Sequence, residues 1–388
     1  MNIPRKLIAL LLCTLTLLPA RAFPVSGIPE YHTAEENLPT LSLDIATSAG
    51  SAVLLDASGP SIRTLWAQNA DKRRGPASTT KVMTALVAAE KMPLSAKITV
   101  PKEAVGIEGS SVYLTEGEVF TLEELLCCTL LESANDAATA VAIAVGGSIE
   151  GFAELMNEKC AELGLVDTHF TNPHGLDHEE HYTTARELGI IAAAALENEA
   201  LRKIFSTYKM TVAAPEGGVR LLINHNRLLK SIEGCIGVKT GYTKSNGRCL
   251  VSAAERDGLR LIAVTLDDGN DWHDHTVMLE AGFEAYERVE LCEYTGIELP
   301  EIAVIGGEQS RVRATISDKV YVTLPRTGTK IDYKIESIPS LPAPVSRGQE
   351  AGEIVFTCEG KEIARIQLVT AYAAAKKKEK GFWERLFS

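Results

Sequence analysis

Basic residues are outnumbered in this chain. Thirty-nine lysines and arginines stand against 51 aspartates and glutamates, for a formal charge of −12 over 388 residues. That balance predicts no nucleic-acid partner. No transmembrane signalling segment is apparent, and the apolar run Leu7 to Leu18 is too short for a comfortable membrane span. It follows Arg5 and Lys6 and precedes Ala20-Arg21-Ala22, a small-x-small site, so residues 1–22 are predicted to be a secretory signal cleaved after Ala22. Cys13 lies behind Leu12, where a lipoprotein site would need a small residue. The leader has three basic and no acidic residues, so the exported chain sits near −15 (−12 less 3).

Cysteine is sparse and lacks metal-ligand spacing. Beyond the leader there are Cys127, Cys128, Cys160, Cys235, Cys249, Cys292 and Cys358, an odd number, most of them expected as buried thiols. Cys235 and Cys249 flank one predicted hairpin, and sequence alone leaves their pairing open, because it does not supply the geometry a disulfide needs. Histidines and carboxylates crowd Phe170 to His181, but Pro173 and Gly175 predict an ordered loop there rather than a helix presenting ligands, so no metal is expected. What is plentiful is apolar content, 45%, enough for a substantial core in a two-domain protein.

The chemistry begins at Ala77-Ser78-Thr79-Thr80-Lys81. Gly75-Pro76 breaks the chain, and Val82, Ala85, Leu86 and Ala89 recur at helical spacing, which predicts Ser78 at the start of a buried helix with Lys81 one turn away on the same face. A serine hydroxyl needs a base, and a lysine serves only when its amine is neutral, a state favoured by burial and by a neighbouring cation. Ser-x-x-Lys alone is a weak signal, recurring at Ser206-Thr207-Tyr208-Lys209. The first copy differs in its company: Ser133-Ala134-Asn135, in a turn between predicted helices Glu123 to Leu131 and Ala137 to Val145, and then Lys239-Thr240-Gly241. Lys239 and Thr240 offer a cation and a hydroxyl to a carboxylate, and Gly241 lets a ligand backbone approach closely.

Strands are predicted at Ser51 to Asp56, Thr64 to Ala67, Ile236 to Gly241, Cys249 to Ala254 and Leu261 to Leu266, with a helix at Thr184 to Leu196. From Ile297 short alternating runs take over: Arg311 to Ile316, Val320 to Leu324, Ile331 to Ile335, Ile354 to Thr357 and Ile363 to Val369, predicting a small all-β module at 297–370. In the tail, 371–388, Phe382, Trp383, Leu386 and Phe387 gather on one helical face beside Lys376 to Lys380, the pattern of an amphipathic anchor at a membrane surface.

Ser-x-x-Lys, Ser-x-Asn and Lys-Thr-Gly in this order form the signature of acyl-transfer enzymes that react with penicillin. Together with Gly109-Ser110-Ser111-Val112-Tyr113-Leu114, Asn172-Pro173-His174-Gly175-Leu176-Asp177 and Gly237 to Thr243, they make the whole mature chain resemble the D-alanyl-D-alanine carboxypeptidases, low-molecular-weight penicillin-binding proteins. The resemblance implies an α/β (α+β) transpeptidase/β-lactamase-like domain at 35–296, an antiparallel sheet flanked by helices, with the β module as a stalk. It implies Ser78 as nucleophile, Lys81 as general base, Ser133 and Asn135 as catalytic partners, and Lys239, Thr240, Gly241 and Tyr242 as substrate-binding. The N–H groups of Ser78 and Tyr242 match the oxyanion hole. The implied substrate is a peptidoglycan stem peptide ending in D-Ala-D-Ala, with β-lactams as covalent inhibitors and no cofactor. A DD-endopeptidase, a β-lactamase of the same fold with Glu187 as added base, and a penicillin-recognising sensor are the alternatives. Relatives carry an arginine near the carboxylate site, for which His225, Arg227 and Arg248 are candidates, and Asn246 stands at a turn position that is often alanine or serine.

Overall fold

The computed structural model describes residues 31–33, 35–214 and 217–378. The predicted leader and the Phe382 to Phe387 anchor lie outside the described residues. A five-stranded antiparallel sheet runs in the order Arg63–Gln68, Ser51–Asp56, Leu259–Leu266, Gly247–Arg256, Cys235–Thr243. Its second strand is buried at every position, the mark of a sheet covered on both faces. Helix Asp271–Ala285 covers one face through Met278, Leu279 and Phe283 against Leu54 and Leu261. The other face packs on a helical cluster, Lys81–Lys91, Leu122–Leu131, Asn135–Gly146, Ile149–Glu162 and Ala185–Glu197.

Helix Lys81–Lys91 lies at the centre of that cluster. Residues Lys81 to Ala88 are all buried, so it carries no solvent stripe. Ser78 precedes it in a 3₁₀ turn, Ala77–Thr80, rather than in the α-helix proper. The Thr79 and Thr80 hydroxyls donate to the Pro76 and Ala77 carbonyls at 2.6 and 2.8 Å, bonding the turn back onto the backbone that precedes it. Helix Leu122–Leu131 opens on a capping box between Thr121 and Glu124.

Strand Cys235–Thr243 is the edge of the sheet beside the helices. Its register with Gly247–Arg256 pairs Cys235 with Ala254 and Cys249 with Gly241, so the two cysteines sit at opposite ends of the hairpin. The disulfide left open from sequence does not form, and all seven cysteines of the described residues are free thiols.

Beyond Glu301 a seven-stranded sheet with its own core follows, including Val312, Ile354, Phe356, Ile366 and Leu368. It is not wholly C-terminal, since Tyr31–Thr33 pairs with Lys361–Thr370, and beside it Tyr286–Glu290 and Tyr321–Pro325 form a separate two-stranded sheet. Arg63, at the far edge of the first sheet, donates to the Thr323 carbonyl at 3.1 Å and lies over the Tyr286 ring, joining the two cores.

Candidate active site

The three motifs converge on one cleft of about 590 Å³. Ser78 comes from the 3₁₀ turn, Ser133 and Asn135 from the junction of two helices, and Lys239 and Thr240 from the edge strand. The Lys81 amine donates to Ser78 Oγ at 2.9 Å, Asn135 Oδ1 at 2.7 Å and the His174 carbonyl at 2.7 Å. It is fully buried, and burial first, then the Lys239 cation, push its pKa well below that of a free lysine. Lys239 is buried too and lowered to about 7, also by burial. Its amine donates to Ser133 Oγ at 3.0 Å and to the Thr240 carbonyl at 2.8 Å. Two lysine–serine pairs therefore stand at the same cleft, Lys81 with Ser78 and Lys239 with Ser133.

The backbone is unusual here. Ser133 holds φ at 59°, a left-handed conformation that costs a non-glycine residue on the order of 1 kcal/mol and aims its hydroxyl at Lys239. Gly241 carries no side chain for a steric reason: a Cβ there would lie 3.0 Å from the backbone nitrogens of both Ser78 and Thr79. The edge strand thus runs against the turn that bears Ser78, with the Gly241 backbone close to Ser78 and Thr79. Gly175, at φ 86°, makes a similar approach, since a Cβ would collide with the Ala77 carbonyl oxygen.

Sequence reasoning missed the residues that hold this cluster. Asp136 is buried and accepts from Ser111 Oγ at 2.6 Å and from the N–H groups of Val112, Leu114 and Ala137. It ties the Gly109 to Leu114 loop to the helix bearing Asn135, whose own amide donates to the Glu108 carbonyl. A buried acid directly after Ser-x-Asn was the only available signal. Glu132 accepts from Ile223 N–H at 2.6 Å and faces His225 at 3.5 Å. The Asn172 to Asp177 loop, expected as structural, supplies the His174 carbonyl to Lys81. Its Asp177 accepts from Thr243, Ser245 and Asn246, so Asn246 ties the hairpin turn to that loop. Among the described residues no cluster suited to a metal is present.

Other expectations resolve by position. The second Ser-x-x-Lys is dispersed: Ser206 ends a helix and bonds to its own Lys203 carbonyl, while Lys209 is exposed on a hairpin. Glu187 is committed to a loop, accepting from Val166 and Asp167 N–H and from Thr168 Oγ1. His225, Arg227 and Arg248 all line the cleft. Arg248 lies across the hairpin from Tyr242 and is held by Asp271 at 2.9 Å.

Residues 35–270 match the family described as D-alanyl-D-alanine carboxypeptidase, and residues 295–376 the penicillin-binding protein 5 C-terminal domain. The D-alanyl-D-alanine carboxypeptidase DacF of Bacillus subtilis is 33% identical over 83% of this chain and 84% of its own length. DacC of Escherichia coli is 32% identical over 94% of this chain and 92% of its own. The structure of penicillin binding protein 5 from Haemophilus influenzae aligns with a TM-score of 0.65 and 28% identity, over 87% of this chain and all of that one. The chain belongs to the D-alanyl-D-alanine carboxypeptidase family, serine peptidases among the penicillin-binding proteins.

Proposed function

We propose that this protein removes the terminal D-alanine from peptidoglycan stem peptides ending in D-Ala-D-Ala, with Ser78 as nucleophile and Lys81 as general base. The observation that carries the reading is a fully buried lysine amine 2.9 Å from a serine hydroxyl, with a second buried lysine beside it. Ser78 Oγ bonds to the carbonyl carbon of the penultimate D-alanine while its proton passes to Lys81. The developing oxyanion lies between the N–H groups of Ser78 and Tyr242. The C–N bond breaks as the leaving amine takes a proton relayed through Lys81, Ser133 and Lys239. Water then adds to the ester carbon, its proton returns through Lys81 to Ser78, and the shortened peptide leaves.

Lys239, Thr240 and Arg248 bind the terminal carboxylate, and its negative charge favours the protonated form of Lys239. The edge strand offers backbone groups to an extended peptide, an added-strand mode that suits a stem peptide. A β-lactam presents the same acyl bond and carboxylate, so it acylates Ser78. A leader predicted at 1–22 and an amphipathic anchor predicted at 371–388, with the domain at 35–296 carried on the β module at 297–370 as a stalk, support a location at the outer face of the cytoplasmic membrane.

The test is D-alanine release from a peptide ending in Lys-D-Ala-D-Ala, comparing the mature protein with Ser78→Ala. Release by the first and not the second is expected. Penicillin acylation of the wild type without any D-alanine release would favour a sensor or endopeptidase instead.

A further inference from the structure

Ala77, the residue before Ser78, is buried with φ at 49°, a left-handed conformation that a residue with a Cβ seldom adopts unless its surroundings hold it there. Two groups hold it. Gly175 backs onto the Ala77 carbonyl so closely that a Cβ would lie 1.8 Å from the oxygen, and Thr80 Oγ1 donates to that oxygen at 2.8 Å. Next to Thr80 stands His181, whose Nε2 lies 2.8 Å from the same hydroxyl. The described residues that line the cleft include Ser78 and Ser133 but neither Thr80 nor His181, and both of these are buried.

The protons in this chain can be counted. The Thr80 hydroxyl has one, and it goes to the Ala77 oxygen, since a carbonyl brings none of its own. Thr80 Oγ1 therefore accepts from His181, which places a proton on Nε2. The other ring nitrogen, Nδ1, then carries a lone pair, and it receives the Thr171 N–H at 3.1 Å. Both sides of the ring agree on one neutral tautomer. Burial first, then His169 and His178, lower the pKa of the ring to about 3, against an opposing pull from Asp177. Phe170 meets the ring in a T-shaped contact, 5.4 Å between centroids, and orients its plane.

We propose that His181 is a positioning residue for the oxyanion hole, acting through Thr80 on the peptide unit between Ala77 and Ser78. The Ala77 C=O and the Ser78 N–H belong to one trans peptide plane, so the direction of the carbonyl sets the opposite direction of the N–H. A donor fixed on the carbonyl thus aims the Ser78 N–H at the place where the oxyanion develops. Because hydrogen bonds in a chain polarise one another, the His181–Thr80–Ala77 series also makes that N–H a stronger donor. The inference rests on the reading of the site given above and adds to it a residue that does not line the cleft. It gives a reason for a buried histidine to be held at both ring nitrogens beside a strained alanine.

The test compares two substitutions that each keep one half of the ring's bonding. His181→Gln carries an amide N–H to the place of Nε2, and His181→Asn carries an amide oxygen to the place of Nδ1, so only the second loses the bond to Thr80. With a penicillin, His181→Gln is expected to acylate within about threefold of the wild type. His181→Asn acylates roughly tenfold more slowly, with the affinity of the initial complex unchanged, because an oxyanion donor acts on the transition state. The kcat for D-alanine release follows the same order. Thr80→Val, which keeps the shape and removes the hydroxyl, matches His181→Asn, the double variant is no slower than either, and Thr80→Ser keeps the rate. The Thr80 pair decides the question even where a His181 variant does not fold. Equal losses in His181→Gln and His181→Asn, additive losses in the double variant, or losses that only track the folded fraction by circular dichroism would overturn the inference. A wild type that neither releases D-alanine nor is acylated would instead fell the reading of the site, and this inference with it.

Discussion

The catalytic cleft and the C-terminal sheet solve opposite problems with the same chain. In the cleft, Lys81, Lys239, Ser133, Asn135 and Asp136 are all buried, two of them as lysines whose charged form burial disfavours. In the β module from Glu301 on, the buried polar residues are Thr323 and Thr370, and the core is valine, isoleucine, leucine and alanine with one phenylalanine and one cysteine. Stability in the sheet follows from apolar area, whereas the cleft spends some of it to hold a lysine amine, whose charged form burial disfavours, against a hydroxyl. The contrast teaches that the same substitution size will read out differently in the two places, as rate in one and as melting in the other.

The largest expected effect breaks the rate side. Lys81→Ala removes the proposed base and should lower kcat/KM for D-alanine release by roughly 10²–10⁴, with the protein still folded by circular dichroism. Phe356→Ala, fully buried in the other core, is the converse: about 3–5 kcal/mol of stability lost in denaturant titration, with kcat per folded molecule unchanged. Lys239→Gln sharpens the electrostatic part. The Lys239 cation helps depress Lys81, so its removal lets Lys81 keep a proton to higher pH, and the rising limb of the acylation rate against pH, measured with a penicillin, moves to higher pH. A limb that stays in place would mean burial alone sets the Lys81 amine. Asp136→Asn tests the scaffold between these extremes. It leaves some of the four donors around Asp136 without an acceptor, costs roughly 1–3 kcal/mol, and lowers kcat because the loop gripping Asn135 loosens.

The same contrast explains what could be read from the sequence. The β module was legible because its strands alternate: Lys361–Thr370 buries Ile363, Ala364, Ile366 and Leu368, and such a period survives without knowledge of partners. Ser78, Lys81, Ser133, Asn135, Lys239 and Thr240 were legible because their chemistry needs those side chains in that order, and the structure brings them into one cleft. Asp136, Glu132 and His181 were not, because their roles depend on which distant loop lies opposite them. The Cys235–Cys249 question failed in the same way: register, set by contacts along two strands, decides it. The pairing of Tyr31–Thr33 with Lys361–Thr370 spans more than 300 residues of chain, and no local pattern in either segment announces the other.

The smallest effect is the one that most directly tests whether polar residues near the cleft are there for rate. Thr121 caps the helix Leu122–Leu131, which ends two residues before Ser133, and it shares three hydrogen bonds with Glu124: from Glu124 N–H to Thr121 Oγ1 at 3.2 Å, and from Thr121 N–H and Thr121 Oγ1 to Glu124 Oε2 at 2.8 and 2.9 Å. If every polar group on that helix served catalysis, loss of this cap would propagate along it to Ser133. The helix between them is packed throughout by Leu122, Leu125, Leu126, Leu130 and Leu131, so its catalytic end is fixed by core contacts that do not involve the cap. Thr121→Ala should therefore cost about 1 kcal/mol in denaturant titration and leave kcat and KM for D-alanine release unchanged. A fall in kcat larger than the loss of folded protein would show that the helix start and Ser133 move together, and that the boundary between stability and rate lies deeper in the cluster than the contacts place it.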